Sequence, residues 1–279
     1  MYLFKGEDEL RKGLLPQAPV GIFDSGLGGL TVVKAVTKLL PAEDIVYFGD
    51  TARVPYGTKS PSAIIKFSRQ NAKVLLAQGV KAIVIACNSS SSHALEILKK
   101  EVPVPVLGVI DPGVRKALSV TETGRVGIIA TRATVNSHAY RDRFKKCRPG
   151  LVVFEQACPL LVPLVEEGWF SRQVTRDIAA QYLEMLRKKK IDALVLGCTH
   201  YPLLKKVLRA VMGDGVNLID SAEEVAQDLK MLLKKENLLR SSSKRKARHL
   251  FLVSDEPKHF QRQAKRFLGR DVLKVKKLF

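Results

Sequence analysis

The chain has 279 residues, of which 46% are hydrophobic, and a formal net charge of +20. This length fits two domains that each bury a core of their own. No apolar run is long enough to span a bilayer, which excludes a helical membrane protein and favours a soluble one.

The N-terminus and the cysteine usage indicate the compartment. An acidic run from Glu7 to Glu9 stands where a signal peptide would have a basic start and an apolar stretch. Residues 1–18 are therefore interpreted as an extension, either an extra helical turn or a loose tail. The four cysteines lack paired spacing, which favours reduced thiols over disulfides. The sequence predicts a cytoplasmic protein.

The first predicted strand, Val20 to Asp24, leads into a glycine-rich loop that ends at Thr31. Glycines after a strand let backbone N–H groups approach an anion. A dinucleotide fingerprint counted from Gly26 needs its third glycine where Thr31 stands, and the Asp24 carboxylate would crowd a pyrophosphate. The loop therefore favours a substrate carboxylate over a nucleotide.

Further along the chain, short apolar runs alternate with stretches of helical spacing. The runs lack strict polar alternation, which is typical of strands covered on both faces, and the alternation with helices predicts parallel sheets with helical crossovers. The runs include Ile83–Ile85, Val126–Ile129 and Leu194–Leu196, and the helical stretches include Ile64–Ala77 and Val174–Leu186. A last strand over His249–Val253 and a helix over Lys258–Leu268 are predicted to pack back onto the first domain.

An internal repeat relates the two halves of the chain. Ala82-Ile-Val-Ile-Ala-Cys87-Asn88 matches Ala193-Leu-Val-Leu-Gly-Cys198-Thr199 at an offset of 111 residues. Two further matches follow the same order, Val20–Ser25 with Val126–Thr131 at 106 residues and Leu107–Pro112 with Val216–Ser221 at 109. Three matches at a nearly constant offset indicate a duplication.

The repeat and the unmatched tail set the expected fold. We expect an α/β protein of two three-layer αβα domains with mainly parallel sheets and a site in the cleft between them. Residues 19–112 with 221–279 form a discontinuous first domain, and residues 113–220 form the second.

Cys87 and Cys198 occupy equivalent places at the ends of two repeated strands, where open α/β sheets carry their chemistry. If the halves face one another, one thiolate can remove a proton from a carbon while the opposite thiol returns one to the other face. This inverts an α-carbon without an electron-sink cofactor. His200, two residues from Cys198, is placed to assist its proton.

The other two cysteines have no counterpart in the repeat. Cys147 lies among basic residues and Cys158 precedes a proline, and both are interpreted as structural. A metal site on Cys198 and His200 lacks further ligands at usable spacing. The sequence predicts neither a metal nor a cofactor.

Six phrases of the chain form a specific set from about Val20 onward. They are Asp24-Ser-Gly-Leu-Gly-Gly-Leu30, Tyr47-Phe-Gly-Asp50, Pro55-Tyr-Gly57, Ala86-Cys-Asn88, Cys158-Pro-Leu-Leu-Val-Pro-Leu-Val-Glu166 and Leu196-Gly-Cys-Thr-His-Tyr-Pro202. The set resembles the glutamate racemases of the cofactor-independent Asp/Glu racemase superfamily. The cysteine phrases alone would indicate only the superfamily.

The resemblance implies a cytoplasmic enzyme that interconverts L- and D-glutamate and supplies the D-isomer for peptidoglycan, with domains related by a pseudo-twofold axis. By match to the family motifs, Cys87 and Cys198 are the acid/base residues. Residues that assist them are implied at Asp24, His200 and Glu166, with Glu167 as an adjacent alternative to Glu166. Substrate-binding positions are implied at Asp24, Ser25, Tyr56, Gly57, Asn88, Ser89, Thr199 and His200. Ser89 replaces the usual threonine of the family and keeps its hydroxyl.

Two alternatives stay open on the sequence. A related racemase on this scaffold would act on aspartate, a hydantoin or a malonate. From Arg240 to Phe279 the chain has thirteen Lys or Arg residues against three acidic ones, which also fits a nucleic-acid-binding protein, although aromatic residues for base stacking are sparse there. Glutamate racemases are commonly homodimers, and some are regulated by a cell-wall precursor or bind DNA gyrase. No residue here indicates either of the last two partners.

Overall fold

A computed structural model describes residues 13–241, 245–272 and 274–278. The predicted extension over residues 1–18 therefore lies mostly outside the described residues. Within the described part of the chain, no helix combines the length and the apolar character needed to cross a membrane.

The elements alternate as the sequence predicts. In the first part of the chain they are β1 (Val20–Asp24), α1 (Leu30–Leu39), β2 (Ile45–Gly49), a 3₁₀ turn (Tyr56–Thr58), α2 (Pro61–Leu76), β3 (Ala82–Ile85), α3 (Asn88–Glu101), β4 (Val106–Leu107) and α4 (Ile110–Val120). They continue as β5 (Arg125–Ala130), α5 (Arg132–Asn136), α6 (Ala139–Cys147), β6 (Val152–Ala157), α7 (Leu161–Glu166), α8 (Gln173–Lys188), β7 (Ala193–Gly197), a second 3₁₀ turn (Tyr201–Leu204), α9 (Lys205–Met212), β8 (Asn217–Ile219), α10 (Ala222–Lys235), β9 (His249–Val253), α11 (Pro257–Leu268) and β10 (Val275–Lys277).

Helix α2 shows how local sequence sets an element. Ser60 caps its N-terminus because the Ser60 Oγ accepts a hydrogen bond from Ala63 N at 3.3 Å. Pro61 occupies the first turn, where its missing N–H leaves no bond unmade. The buried face of the helix repeats every three or four residues from Ile64 to Leu75 and covers β1 and β2.

The two sheets are parallel throughout and reproduce the repeat in their strand order. The first runs β10-β9-β2-β1-β3-β4 and the second β6-β5-β7-β8, so β2-β1-β3-β4 has the same connectivity as the whole second sheet. Val20 lies opposite Ala82 in the first sheet, and Val126 lies opposite Ala193 in the second. The register therefore equates the residues of the first two matches, and the predicted duplicated α/β fold is confirmed.

The third match is out of register. Val84 pairs with Leu107, and its equivalent Val195 pairs with Ile219, so the match of Leu107 with Val216 is wrong by three residues. The shared Ile-Asp phrase misleads because one aspartate lies inside the first turn of α4, whereas the other precedes α10.

The C-terminal segment joins the first sheet. β9 pairs with β2 along its whole length, and β10 extends the sheet beyond β9. α11 begins at Pro257, one residue before the predicted start, because proline is favoured in the first turn of a helix. It packs against α1. The boundaries of the two domains stay a prediction, although strands from both ends of the chain share one sheet.

Candidate active site

The two predicted thiols lie at the carboxyl ends of equivalent strands and face one pocket between the halves. Cys87 follows β3 and Cys198 follows β7, and their exposed fractions are 6% and 7%. The pocket is nearly closed in this substrate-free structure, with a free volume of only about 20 Å³, far below the roughly 300–1,000 Å³ usual for ligand sites. Its lining consists of Ser25, Val54, Pro55, Tyr56, Gly57, Cys87, Asn88, Ser89, Thr131, Val162, Cys198, Thr199 and His200.

The structure brings most of the predicted residues to this pocket. The lining includes both cysteines and every implied substrate position except Asp24. Asp24 is fully buried at the end of β1, and Glu166 reaches the site through its contact with His200. Neither carboxylate is part of the lining in this substrate-free structure.

Around Cys87 the neighbouring charge is negative. Burial, followed by the charge of Asp24, raises the pKa of the Cys87 thiol to about 12, although the Ser90 N–H at the start of α3 opposes the shift. The thiol donates to Ser25 Oγ at 3.9 Å. In the substrate-free site, Cys87 is therefore a protonated thiol at neutral pH.

Asp24 holds the glycine loop and keeps one oxygen free. Its Oδ2 accepts from Gly26 N at 3.2 Å and from Gly29 N at 3.0 Å, whereas Oδ1 has no partner among the described residues. Burial raises the pKa of Asp24, and the positive charge of His200 and the loop N–H groups oppose the shift. The free oxygen can accept a hydrogen bond from an ammonium group.

The glycine loop therefore differs from the sequence-based expectation. Two of its N–H groups bind the Asp24 carboxylate instead of being free for a ligand, because that side chain is the nearest anion at the strand end. Gly28 packs against the other half, where an added Cβ would lie 2.1 Å from Thr199 Oγ1. Glycine at this position allows the two halves to approach one another.

Around Cys198 the neighbouring charge is positive. Cys198 Sγ lies 3.8 Å from His200 Nδ1, and His200 Nε2 lies 3.2 Å from Glu166 Oε1. Burial lowers the pKa of His200, but the hydrogen bonds and negative charges of Cys198 and Glu166 outweigh burial and raise it to about 10. His200 is therefore an imidazolium at neutral pH. Glu167, the alternative to Glu166, is exposed.

A cluster of hydroxyl and amide groups joins the halves beside the thiols. Ser89 Oγ lies 2.9 Å from Thr131 Oγ1 and 3.2 Å from Thr134 Oγ1. Tyr140 OH donates to Asn88 Oδ1 at 2.7 Å. Ser89 and Asn88 belong to the first half, and the other three residues belong to the second. The cluster offers donors for a carboxylate.

Several residues of this region were missed at the level of sequence, among them Thr131, Val162 and Tyr140. The repeat contains the signal for Thr131, because the 106-residue offset equates it with Ser25. Val162 lies inside the family phrase that ends at Glu166 and provides an apolar wall. Tyr140 has no local signal, since it is fully buried in α6 and lies 52 residues from its partner.

The loop after β2 carries Tyr56 and Gly57 and is held by a buried carboxylate. Asp50 is fully buried, and its Oδ2 accepts from Tyr56 OH and from Arg53 Nε, the latter at 2.6 Å. Its Oδ1 accepts from Ser254 Oγ at 2.9 Å. Ser254 follows β9, so the C-terminal segment supports this loop.

All four cysteines are free. Cys147 is exposed at the end of α6, and Cys158 is buried with its thiol directed at the carbonyl of Gln156, 3.6 Å away. Burial raises the pKa of Cys158. Across the described ranges, no group of three or more His, Cys, Asp or Glu residues is placed to hold a metal ion.

A duplicated parallel α/β scaffold that brings a thiol from each half to one small pocket is the architecture of an amino-acid racemase. Comparison with known proteins agrees. The Asp/Glu/Hydantoin racemase family matches residues 27–229. A glutamate racemase of Geobacter metallireducens is 50% identical over 255 residues, which is 91% of this chain and 94% of the relative.

Solved structures extend the match to three dimensions. A glutamate racemase isoform of Bacillus anthracis has a TM-score of 0.91 at 35% identity, covering 95% of this chain and 98% of that chain. A glutamate racemase of Francisella tularensis in complex with D-glutamate has a TM-score of 0.89 at 40% identity, with the same coverage. The chain belongs to the Asp/Glu/Hydantoin racemase family.

Proposed function

We propose that the chain interconverts L- and D-glutamate by proton transfer between two thiols, without a cofactor. The observation that carries the proposal is the pair of cysteines, Cys87 and Cys198, which lie at repeat-equivalent strand ends and line one small pocket. The names of relatives and of structural neighbours, which include a complex with D-glutamate, support glutamate as the substrate.

The different charges around the two thiols suit them to different roles. The thiolate form of Cys198, beside the His200 imidazolium, removes the α-proton of one enantiomer, so that an S–H bond forms as the C–H bond breaks. Cys87, protonated because of burial and Asp24, gives its proton to the opposite face of the carbanion and becomes a thiolate. The product is the other enantiomer, and the reverse reaction exchanges the two roles.

The carbanion forms next to a carboxylate that is already negative, and it therefore needs several hydrogen-bond donors to stabilise it. Hydroxyl and amide groups of the lining hold the substrate carboxylates, and Asp24 accepts from the ammonium. A nearly closed pocket has a low effective dielectric, which strengthens each of these interactions. The donors are Ser25, Asn88, Ser89, Thr131 and Thr199.

The proposal extends to the setting of the enzyme. By the family resemblance it is a cytoplasmic homodimer that supplies D-glutamate for peptidoglycan. Residues 19–112 with 221–279 form one domain and residues 113–220 the other, with the substrate between them.

The test is incubation of the purified protein with L-glutamate in deuterium oxide, with no added cofactor or metal. D-glutamate and α-deuterium should both appear, since the proton returned to carbon comes from a solvent-exchanged thiol. Absence of both would contradict the proposal. Aspartate and a hydantoin tested in parallel decide the substrate, and tight binding of nucleic acid at physiological salt with no isomerisation would favour the alternative class.

A further inference from the structure

The C-terminal helix α11 has no counterpart in the repeat, yet it reaches the imidazole of the active site. Phe267 is 3% exposed, and its ring meets the His200 ring edge-on, with 5.6 Å between centroids and an interplanar angle of 86°. The adjacent Arg266 donates from Nη1 to the main-chain carbonyl of Glu166 at 3.3 Å. α11 thus contacts both members of the His200–Glu166 pair.

The turn after α7 is shaped around the Arg266 guanidinium. Gly168 has a φ of +75°, and a Cβ at this position would lie 2.7 Å from Arg266 Nη1. The left-handed backbone favours glycine, and its missing side chain leaves the space that the guanidinium fills. Arg266 is therefore packed against the end of the helix that carries Glu166.

We propose that Phe267 and Arg266 are positioning residues for proton transfer at Cys198. Phe267 fixes the ring plane of His200, and Arg266 fixes Glu166, so that the imidazole stays between the Cys198 thiol and the Glu166 carboxylate. An aromatic edge restricts rotation of the neighbouring ring. Its apolar surface also excludes water that would compete for the two ring nitrogens. This inference rests on the proposed function of Cys198 and His200.

The structure offers matched variants for both residues. Phe267→Leu keeps most of the apolar volume and removes the flat ring. Its control is Phe260→Leu, because Phe260 is also fully buried on α11 but packs on the Tyr47 ring at a centroid distance of 5.9 Å. Thermal melting should show a loss of stability in both Phe267→Leu and Phe260→Leu. An effect on Cys198 that appears only in Phe267→Leu therefore comes from loss of the His200 contact and not from loosening of the helix.

Arg266→Gln removes the donor to the Glu166 carbonyl from an exposed position, so this variant decides the question if Phe267→Leu fails to fold. Its control is Arg262→Gln, which makes the same charge change one turn earlier on the same helix, also at an exposed position.

The first measurement needs no substrate. The wild type and all four variants are treated with iodoacetamide over a range of pH, and alkylation of each cysteine is followed by peptide mass spectrometry. In Phe267→Leu and Arg266→Gln, the pH midpoint for Cys198 should move upward by about one unit, a tenfold loss of thiolate at a given pH below the midpoint. The Cys87 midpoint and both controls should stay at the wild-type values.

The second measurement is turnover of L- and D-glutamate. Neither positioning residue touches the pocket, so kcat should fall about tenfold to a hundredfold with little change in KM. Midpoints and kcat values equal to those of the controls would overturn the inference. If the wild type does not racemise glutamate but the Cys198 midpoint still shifts, the proposed function fails and the positioning of His200 stands.

Discussion

The two halves of the chain share a topology but surround their thiols with opposite charge. Cys87 lies near the buried carboxylate of Asp24, whereas Cys198 lies beside the His200 imidazolium. The repeat equates Asp24 with Ala130 in the second half, so the acidic neighbour belongs to one half alone. Duplication accounts for two thiols in equivalent places, and divergence of their neighbours gives the two thiols different electrostatic surroundings.

Replacement of either thiol is expected to have the largest effect. Cys87→Ser and Cys198→Ser each remove one acid/base group, and serine does not ionise near neutral pH, so racemisation should fall by about 10²–10⁴-fold in each. One direction of α-proton exchange is expected to persist weakly because the other thiol remains. Circular dichroism follows racemisation, and NMR in deuterium oxide follows exchange. Near-normal racemisation by either variant would show that the thiols are not paired across the substrate.

Removal of the charged neighbour of each thiol should shift the pH at which that thiol is alkylated, and the two shifts should be in opposite directions. Asp24→Asn removes a negative charge near Cys87, so its alkylation should begin at lower pH, by about one unit or more. His200→Gln removes the cation beside Cys198, so alkylation of Cys198 should require higher pH. Peptide-resolved alkylation measures both, and Cys147, exposed at the end of α6, reports general reactivity. If the alkylation pH of both thiols moved in the same direction, the two thiols would not have neighbours of opposite charge.

The half that carries Cys198 should also lose more folding stability at alkaline pH. The pKa of His200 rises from 6.5 to about 10 in the folded protein. Its protonation therefore stabilises the fold fully below pH 6.5 and loses this effect as the pH rises through 10. The difference in free energy of unfolding between the wild type and His200→Gln should shrink over that range. Urea denaturation at several pH values measures it, and a constant difference would be the contrary result.

The smallest effects are expected at the equivalent hydroxyls Ser25 and Thr131. Each variant, Ser25→Ala or Thr131→Val, removes hydrogen bonds of a kind that contributes about 0.5–1.5 kcal/mol each, so kcat/KM should fall by a factor of about two to twelve per bond. Ser25 accepts from the Cys87 thiol, whereas Thr131 bonds to Ser89. Steady-state kinetics in both directions test the pair. A loss as large as that of the cysteine variants would mean that a hydroxyl takes part in proton transfer.

Much of the fold and the thiol pair could be predicted because their signals are local. Seven consecutive residues are enough to predict a buried parallel strand followed by a small residue and a cysteine. This pattern occurs twice, at Cys87 and at Cys198. The same repeat contains Thr131, which was not predicted as a site residue because its neighbour Ala130 lacks the carboxylate that Asp24 has.

The rest depends on packing between distant segments. Phe267 meets His200 from 67 residues away, and Ser254 meets Asp50 from 204 residues away. No local pattern encodes such contacts, since they follow from how α11 and β9 pack on the first sheet. The net charge of the C-terminal tail favours nucleic-acid binding, whereas its buried side chains contact residues of the candidate active site and of the loop beside it. The charge state of the Cys87 thiol also required the fold, because burial is the largest cause of its pKa shift.

The glycines at the cleft have a consequence for turnover. An added Cβ would lie 2.5 Å from Thr131 Cβ at Gly57 and 2.1 Å from Thr199 Oγ1 at Gly28, so the halves meet at near-minimal separation. A substrate enters such a site only when the halves swing apart, and its product leaves by the same motion. The rate of opening therefore sets a ceiling on the catalytic cycle. We expect that a single methyl group at either glycine would hold the halves further apart, which would speed product release but admit water to the pocket.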